Sequence, residues 1–241
     1  MKKRYKILIA IIAFILIIAA VFAIWLLNPY QAEKEAAALL EQENIKITEE
    51  DWLLFETEAG NSEKGLIFYP GARVEAAAYA PLAAQIAAAG HQVIITPMPL
   101  NLALFGINKA DQIMEQHPEI NEWFIVGHSL GGAMAANYAK QNSSKLKALI
   151  LLAAYPAESD DLSASSLDVL SIYAANDSFA SLEDIEKSKK LLPESTVWHE
   201  IKGGNHSQFG YYGFQRGDEE AEITREEQQQ EILTAILSFM E

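Results

Sequence analysis

The chain has 241 residues, half of them hydrophobic, a formal net charge of −15 and no cysteine. That length suits one domain with a full core, and the apolar share excludes disorder. The acidic balance excludes a nucleic-acid partner, because phosphate-binding surfaces need basic patches to release counterions; the lack of a thiol excludes disulfides, thiolate catalysis and cysteine zinc sites.

Lys2, Lys3, Arg4 and Lys6 precede an uninterrupted apolar run, residues 7–27. At the helical rise the run spans about 31 Å, the hydrocarbon thickness of a bilayer. It reads as a transmembrane anchor (residues 1–27) whose basic flank stays in the cytoplasm, which sends the rest of the chain to the outer side of the cell membrane; Trp25 and Tyr30 suit the far interface. The competing reading is a secretory signal cut near Val21-Phe22-Ala23, although the apolar run continues past that site. Either way the folded part is extracytoplasmic. Only 14 of the 18 cationic residues then face all 33 acidic ones, which argues against tight association with an anionic membrane surface.

Residues 28–43 are rich in Ala, Glu, Gln and Leu and read as a helical spacer that supplies only reach. A folded domain is expected over residues 44–241. Residues 45–48 and 52–58 predict a β-hairpin, followed by a turn at Gly60-Asn61-Ser62. Strands are then expected at 66–69, 92–96, 123–126, 149–153, 169–173 and 196–201, alternating with helices at 82–89, 109–115, 130–140, 182–191 and 225–239. That order predicts an α/β fold, a mostly parallel sheet with helices on both faces. The segment 154–168 between two of these strands is too short for a helical cap.

A strand turns into a helix at Ser129. In Gly127-His128-Ser129-Leu130-Gly131 the glycines remove Cβ atoms that would clash in a tight bend, so the serine can sit strained with its hydroxyl at the sheet's carboxyl edge. The helix adds its positive end and free N–H groups where an oxyanion would form. Functional groups in such sheets collect past the carboxyl ends of strands. Three other loops there are informative: Pro70-Gly71-Ala72-Arg73-Val74, with small residues that let N–H groups approach a substrate; Ala174-Ala175-Asn176-Asp177-Ser178, with a carboxylate; and Lys202-Gly203-Gly204-Asn205-His206-Ser207, with an imidazole.

The order Ser129, Asp177, His206 and the motifs Tyr69-Pro70-Gly71, Gly127-His128-Ser129-Leu130-Gly131-Gly132, Asn176-Asp177 and Gly204-Asn205-His206 carry a resemblance. Residues 64–241 resemble an alpha/beta hydrolase, in particular the compact bacterial group called fold family 5, near dienelactone-hydrolase-like esterases. The resemblance implies a serine esterase without a large cap domain or cofactor, acting on a small-molecule acyl substrate through an acyl-enzyme. Ser129 is then the nucleophile, His206 the base and Asp177 the carboxylate that orients the imidazole. Leu130 N–H and Ala72 N–H form the oxyanion hole. The chain departs from the family where Pro70-Gly71 replaces the common His-Gly, which keeps Arg73 beside Ala72 as a candidate. A thioesterase or peptidase with the same triad, or a non-catalytic binding protein on this fold, are the alternatives.

Other polar residues read as ordinary. Asp160, Asp161 and Asp168 suit solvated surface, His128 a packing or hydrogen-bonding role, and His91, His117 and His199 structural or exposed positions. No pair has the spacing of a metal motif. Phe209, Tyr211 and Tyr212 follow His206 on a glycine-rich loop and are candidates to line a substrate pocket, against the reading that they pin the loop to the core. Residues 100–105 form a second apolar stretch near the mouth.

Overall fold

A computed structural model describes residues 2–40, 45–47, 52–56 and 62–241. Eight strands form one sheet: β1 Ile45–Ile47, β2 Leu53–Phe55, β3 Lys64–Tyr69, β4 Gln92–Ile95, β5 Glu122–His128, β6 Ala148–Leu152, β7 Asp168–Ala174 and β8 Val197–Ile201. Their order is β1-β2-β4-β3-β5-β6-β7-β8. The hairpin β1–β2 is antiparallel and β2 runs antiparallel to β4; every later pairing is parallel. Residues 41–43, 48 and 57–58 of the expected spacer and hairpin, and Gly60-Asn61 of the expected turn, lie outside the described residues.

The inner strands are apolar on both faces because both faces are covered. Alternate residues divide between two cores. Leu66, Phe68, Val93, Ile95, Phe124, Val126, Ile150 and Leu152 pack under helices α3 (Ala80–Ala88), α6 (Leu182–Ser188) and α7 (Arg225–Met240). Ile67, Tyr69, Ile94, Trp123, Ile125, Leu149 and Leu151 pack under α4 (Lys109–Gln116) and α5 (Leu130–Asn142). The α7 start is fixed by a reciprocal cap between Thr224 and Glu227. Between β6 and β7 there is no α-helix, only a short 3-10 turn at Glu158–Asp160.

The N-terminal helix α1, Lys2–Leu26, includes a stretch from Arg4 to Leu26 that reaches a mean hydropathy of 3.5, none of it buried, and is long and apolar enough to cross a membrane. The spacer differs from expectation. Among its described residues only Lys34–Leu39 is helical (α2), and the segment is docked rather than free. Ala36 is fully buried, Tyr30 pairs with Val74 as an isolated bridge, and Glu33 and Glu35 both pair with Arg225 of α7. Helix-forming composition reports the local preference and carries no trace of these distant partners.

Candidate active site

The bend after β5 has the backbone strain its sequence predicts. Ser129 sits at φ 53°, ψ −124°, a region that side-chain-bearing residues rarely enter. It is tolerated because the surrounding glycines let the chain close on itself. A Cβ on Gly127 would lie 2.5 Å from the main chain of Gly131, and one on Gly131 would lie 2.1 Å from the Tyr69 carbonyl oxygen. Two close approaches thus clamp β5, the start of α5 and the end of β3 together. The first helical bond of α5 runs from Ala133 N–H to the Ser129 carbonyl, at 3.1 Å, so the N–H groups of Leu130, Gly131 and Gly132 lie outside the ladder.

Asp177, past β7, and His206, past β8, meet in the interior: Asp177 Oδ2 lies 2.8 Å from His206 Nδ1, both side chains almost wholly shielded from solvent. The other carboxylate oxygen accepts the N–H groups of Phe179 and Ala180, each at 2.7 Å. The two loops are stitched to each other. Asn176 N–H donates to the Gly204 carbonyl at 2.9 Å, and Asp218 accepts from Ser207 N–H and hydroxyl at 2.8 and 2.6 Å and from Ser178 N–H at 3.3 Å. Gln228 of α7 accepts from Asn205 N–H and donates to its carbonyl, at 3.0 and 2.8 Å.

Ser129 and the Asp177–His206 pair occupy the same edge. The His206 ring packs 4.6 Å from that of His128, the residue before Ser129, and 5.1 Å from Phe179. Phe179 in turn walls an open cleft of ≈ 270 Å³ together with Ser129, Leu130, Ala153 and Tyr155. Clefts of ≈ 450 Å³ beside Lys64 and Lys147, and beside Trp198 and His199, lack both the strained serine and the buried pair.

The loop after β3 packs on the bend, since a Cβ on Gly71 would lie 2.7 Å from His128 Nδ1. Gly71 N–H donates to the Tyr79 hydroxyl at 3.0 Å and Arg73 N–H to the Asn101 carbonyl at 2.6 Å. Ala72 N–H, between them, has no hydrogen-bond partner among the described residues. The Arg73 N–H, the neighbouring candidate, is committed elsewhere. The Tyr79 oxygen, which accepts from Gly71, also lies 2.8 Å from His128 Nδ1 and so ties the loop to the bend. Burial, reinforced by His206 nearby, holds the His128 pKa well below the ordinary histidine value, so the ring is neutral; burial also pushes the Tyr79 hydroxyl upward.

Four residues sit otherwise than expected: the three loop aromatics and Asp160. Phe209, Tyr211 and Tyr212 are buried and absent from the cleft wall; Phe209 and Tyr212 pack on His128, and Tyr211 lies against Arg225. They pin the loop: Phe209 and Tyr212 lie against the bend at His128, and Tyr211 faces α7. Asp160 is buried and accepts from Asn137 at 2.8 Å, while Asp161 and Asp168 are exposed. Phe179 and Tyr155, the aromatics that do reach the cleft, are isolated residues with no pattern to single them out. Among the described residues no cluster of acidic and histidine side chains could hold a metal.

A sequence model of the alpha/beta hydrolase family matches residues 65–230. The chain belongs to the alpha/beta hydrolase family. Among solved structures this hydrolase is similar to a monoacylglycerol lipase of Paleococcus ferrophilus, at 15% identity over 78% of this chain and 98% of that one, with a TM-score of 0.58. It is similar to an esterase of Thermogutta terrifontis at 13% identity, over 83% and 94% of the chains, TM-score 0.57. Est1E of Butyrivibrio proteoclasticus, solved with ferulic acid bound, is similar at 12% identity, over 83% and 98%, TM-score 0.59. At such identities the likeness is one of fold. Among proteins of curated function none matches the hydrolase in sequence.

Proposed function

We propose that this hydrolase cleaves carboxylic esters through a covalent acyl-enzyme on Ser129. The observation that carries the reading is the buried Asp177–His206 pair on the same edge as a serine held at φ 53° on the first turn of a helix. His206 takes the Ser129 proton as the oxygen attacks the acyl carbon, and returns it to the departing alcohol; water then repeats the exchange and releases the acid. Asp177, its other oxygen held by two main-chain donors, keeps the imidazole in the proton-accepting tautomer. The N–H groups of Leu130 and Ala72 stabilise the oxyanion. α1 anchors the chain in the cell membrane, with the four basic residues inside and the catalytic domain outside.

Ser129→Ala tests the chemistry: ester turnover and labelling by a fluorophosphonate both vanish while the fold is retained. Labelling that persists in this variant contradicts the assignment. Glu194→Cys, in a chain without other thiols, tests the topology, since a membrane-impermeant maleimide then reacts on intact cells. Reaction only after lysis reverses it.

A further inference from the structure

Outside α1 and Leu27, seven large apolar side chains of the described residues are exposed: Leu100, Leu104, Phe105, Phe179, Leu182, Phe214 and Val197. The first six lie beyond the carboxyl ends of β4, β7 and β8, the edge that holds Ser129, and only Val197, at the start of β8, lies at the other end. Scattered exposed apolar residues are normal, but six past the strand ends of one edge make that edge the candidate interaction surface of the domain.

The membrane helix ends at this edge. The Arg73 guanidinium lies 4.2 Å over the Trp25 ring, in the last turn of α1, and donates to the Asn28 carbonyl. Tyr30 N–H donates to the Arg73 carbonyl at 2.6 Å, and its own carbonyl accepts from Glu75 at 3.0 Å. The Tyr30 ring packs 5.7 Å from Tyr212, which packs 6.2 Å from His128, itself beside His206. Arg73 is also bonded to Asn101, in the turn between Leu100 and Leu104. The helix exit, the loop carrying Ala72 and the exposed leucines are therefore one packed unit. With Trp25 at headgroup level, where interfacial tryptophans reside, that unit lies against the outer leaflet.

We propose that the lipid surface is the occupant of this apolar edge, and that the substrate is an acyl ester carried by an amphiphile resident in the outer leaflet. The proposal rests on the serine-hydrolase and membrane-anchor readings above. The ester enters the Ser129 cleft from the lipid side, past Phe179, and hydrolysis consumes one water and yields one carboxylic acid and one alcohol. Apolar contact and the anchor hold the edge down, so neutral lipid suffices and the acidic excess of the domain is no obstacle.

The test uses the full chain in phosphatidylcholine vesicles. With no native cysteine, Phe105→Cys and Val197→Cys each provide a single site for an environment-sensitive nitrobenzoxadiazole fluorophore. The probe at 105 is expected to be blue-shifted and quenched by spin-labelled lipid at least about five-fold more than that at 197. Equal, water-like emission at both sites overturns the proposal. So does a shielded but unquenched probe at 105 together with a dimeric mass, which gives the face to a second copy. In a second arm, Leu104→Ser with Phe105→Ser lowers turnover of a long-chain acyl ester dissolved in the vesicles, relative to 4-nitrophenyl acetate in water, by about five-fold or more. An unchanged ratio overturns the substrate assignment. Wild-type protein inactive on both esters refutes the ester-hydrolase reading and the substrate with it, while the fluorophore still decides the surface.

Discussion

Replacing Asp177 by asparagine isolates what the carboxylate does. Its Oδ1 accepts two main-chain N–H groups at 2.7 Å, and its Oδ2 faces His206 Nδ1 at 2.8 Å. In Asp177→Asn the amide oxygen has to stay with the two donors. Turning it around sets an NH₂ against Phe179 and Ala180 and loses two bonds of about 1 kcal/mol each, a preference of about thirty-fold. The amide NH₂ therefore faces Nδ1, which becomes an acceptor, and the imidazole carries its proton on Nε2. That atom is the one assigned to receive the Ser129 proton, and in this tautomer it has nothing to receive it with. The expected loss in kcat is about 10⁴-fold, the scale found when a triad carboxylate is turned into an amide elsewhere. The assay is kcat on a soluble chromogenic ester at neutral pH, with near-UV circular dichroism to confirm the fold. A folded variant that keeps kcat within about ten-fold of the parent refutes the orienting role and the tautomer argument together.

Three further perturbations probe the supports. Gly131→Ala forces a Cβ to within 2.1 Å of the Tyr69 carbonyl oxygen and 2.4 Å of that of Pro70, both main chain, so relief requires β3 and α5 to part. A cost of about 3 kcal/mol and a fall in Tm of about 10 °C are expected by scanning calorimetry, and an unchanged Tm contradicts the clamp. Tyr79→Phe leaves Gly71 N–H and His128 Nδ1 without a buried partner, which costs about 2–4 kcal/mol in urea unfolding. It is also expected to lower kcat with little change in KM, because the loop carrying Ala72 loses its support; a stability loss with kcat intact confines the hydroxyl to structure. Burial keeps folded His128 neutral below the pH at which the unfolded chain takes up its proton, near 6.5. Its contribution is complete above that pH and is lost as pH falls, at up to about 1.4 kcal/mol per pH unit. His128→Asn should flatten the fall in urea midpoint between about pH 7 and about pH 5, and an unaltered slope refutes the assignment.

Much of this was legible because it is local. Apolar runs such as Ala148–Leu152, buried at every position, announce inner strands of a covered sheet. The glycines around Ser129 announce a bend that no other residues would allow. The placements that sequence misread depend on partners far along the chain. Ala36 is buried and Glu33 paired through Arg225, nearly two hundred residues away, so alanine-rich composition read as a free spacer. The rings of Phe209, Tyr211 and Tyr212 look like a pocket in one dimension, but in the fold Phe209 and Tyr212 pack on His128 and Tyr211 on Arg225. Tyr79 and Gln228 each support the site through two hydrogen bonds to residues far along the chain. Neither belongs to a motif, and no periodicity sets them apart from core residues.

The conformation of Ser129 also bears on how durable the protein is. A serine held at φ 53° forgoes of the order of 1–3 kcal/mol that a residue without a side chain would keep. Substituting glycine at this one position is then expected to harden the fold while erasing the proposed nucleophile. A search for heat-resistant variants that ignored turnover would be drawn first to the very residue proposed to carry turnover, and on that reading robustness and chemistry at this bend must be selected together.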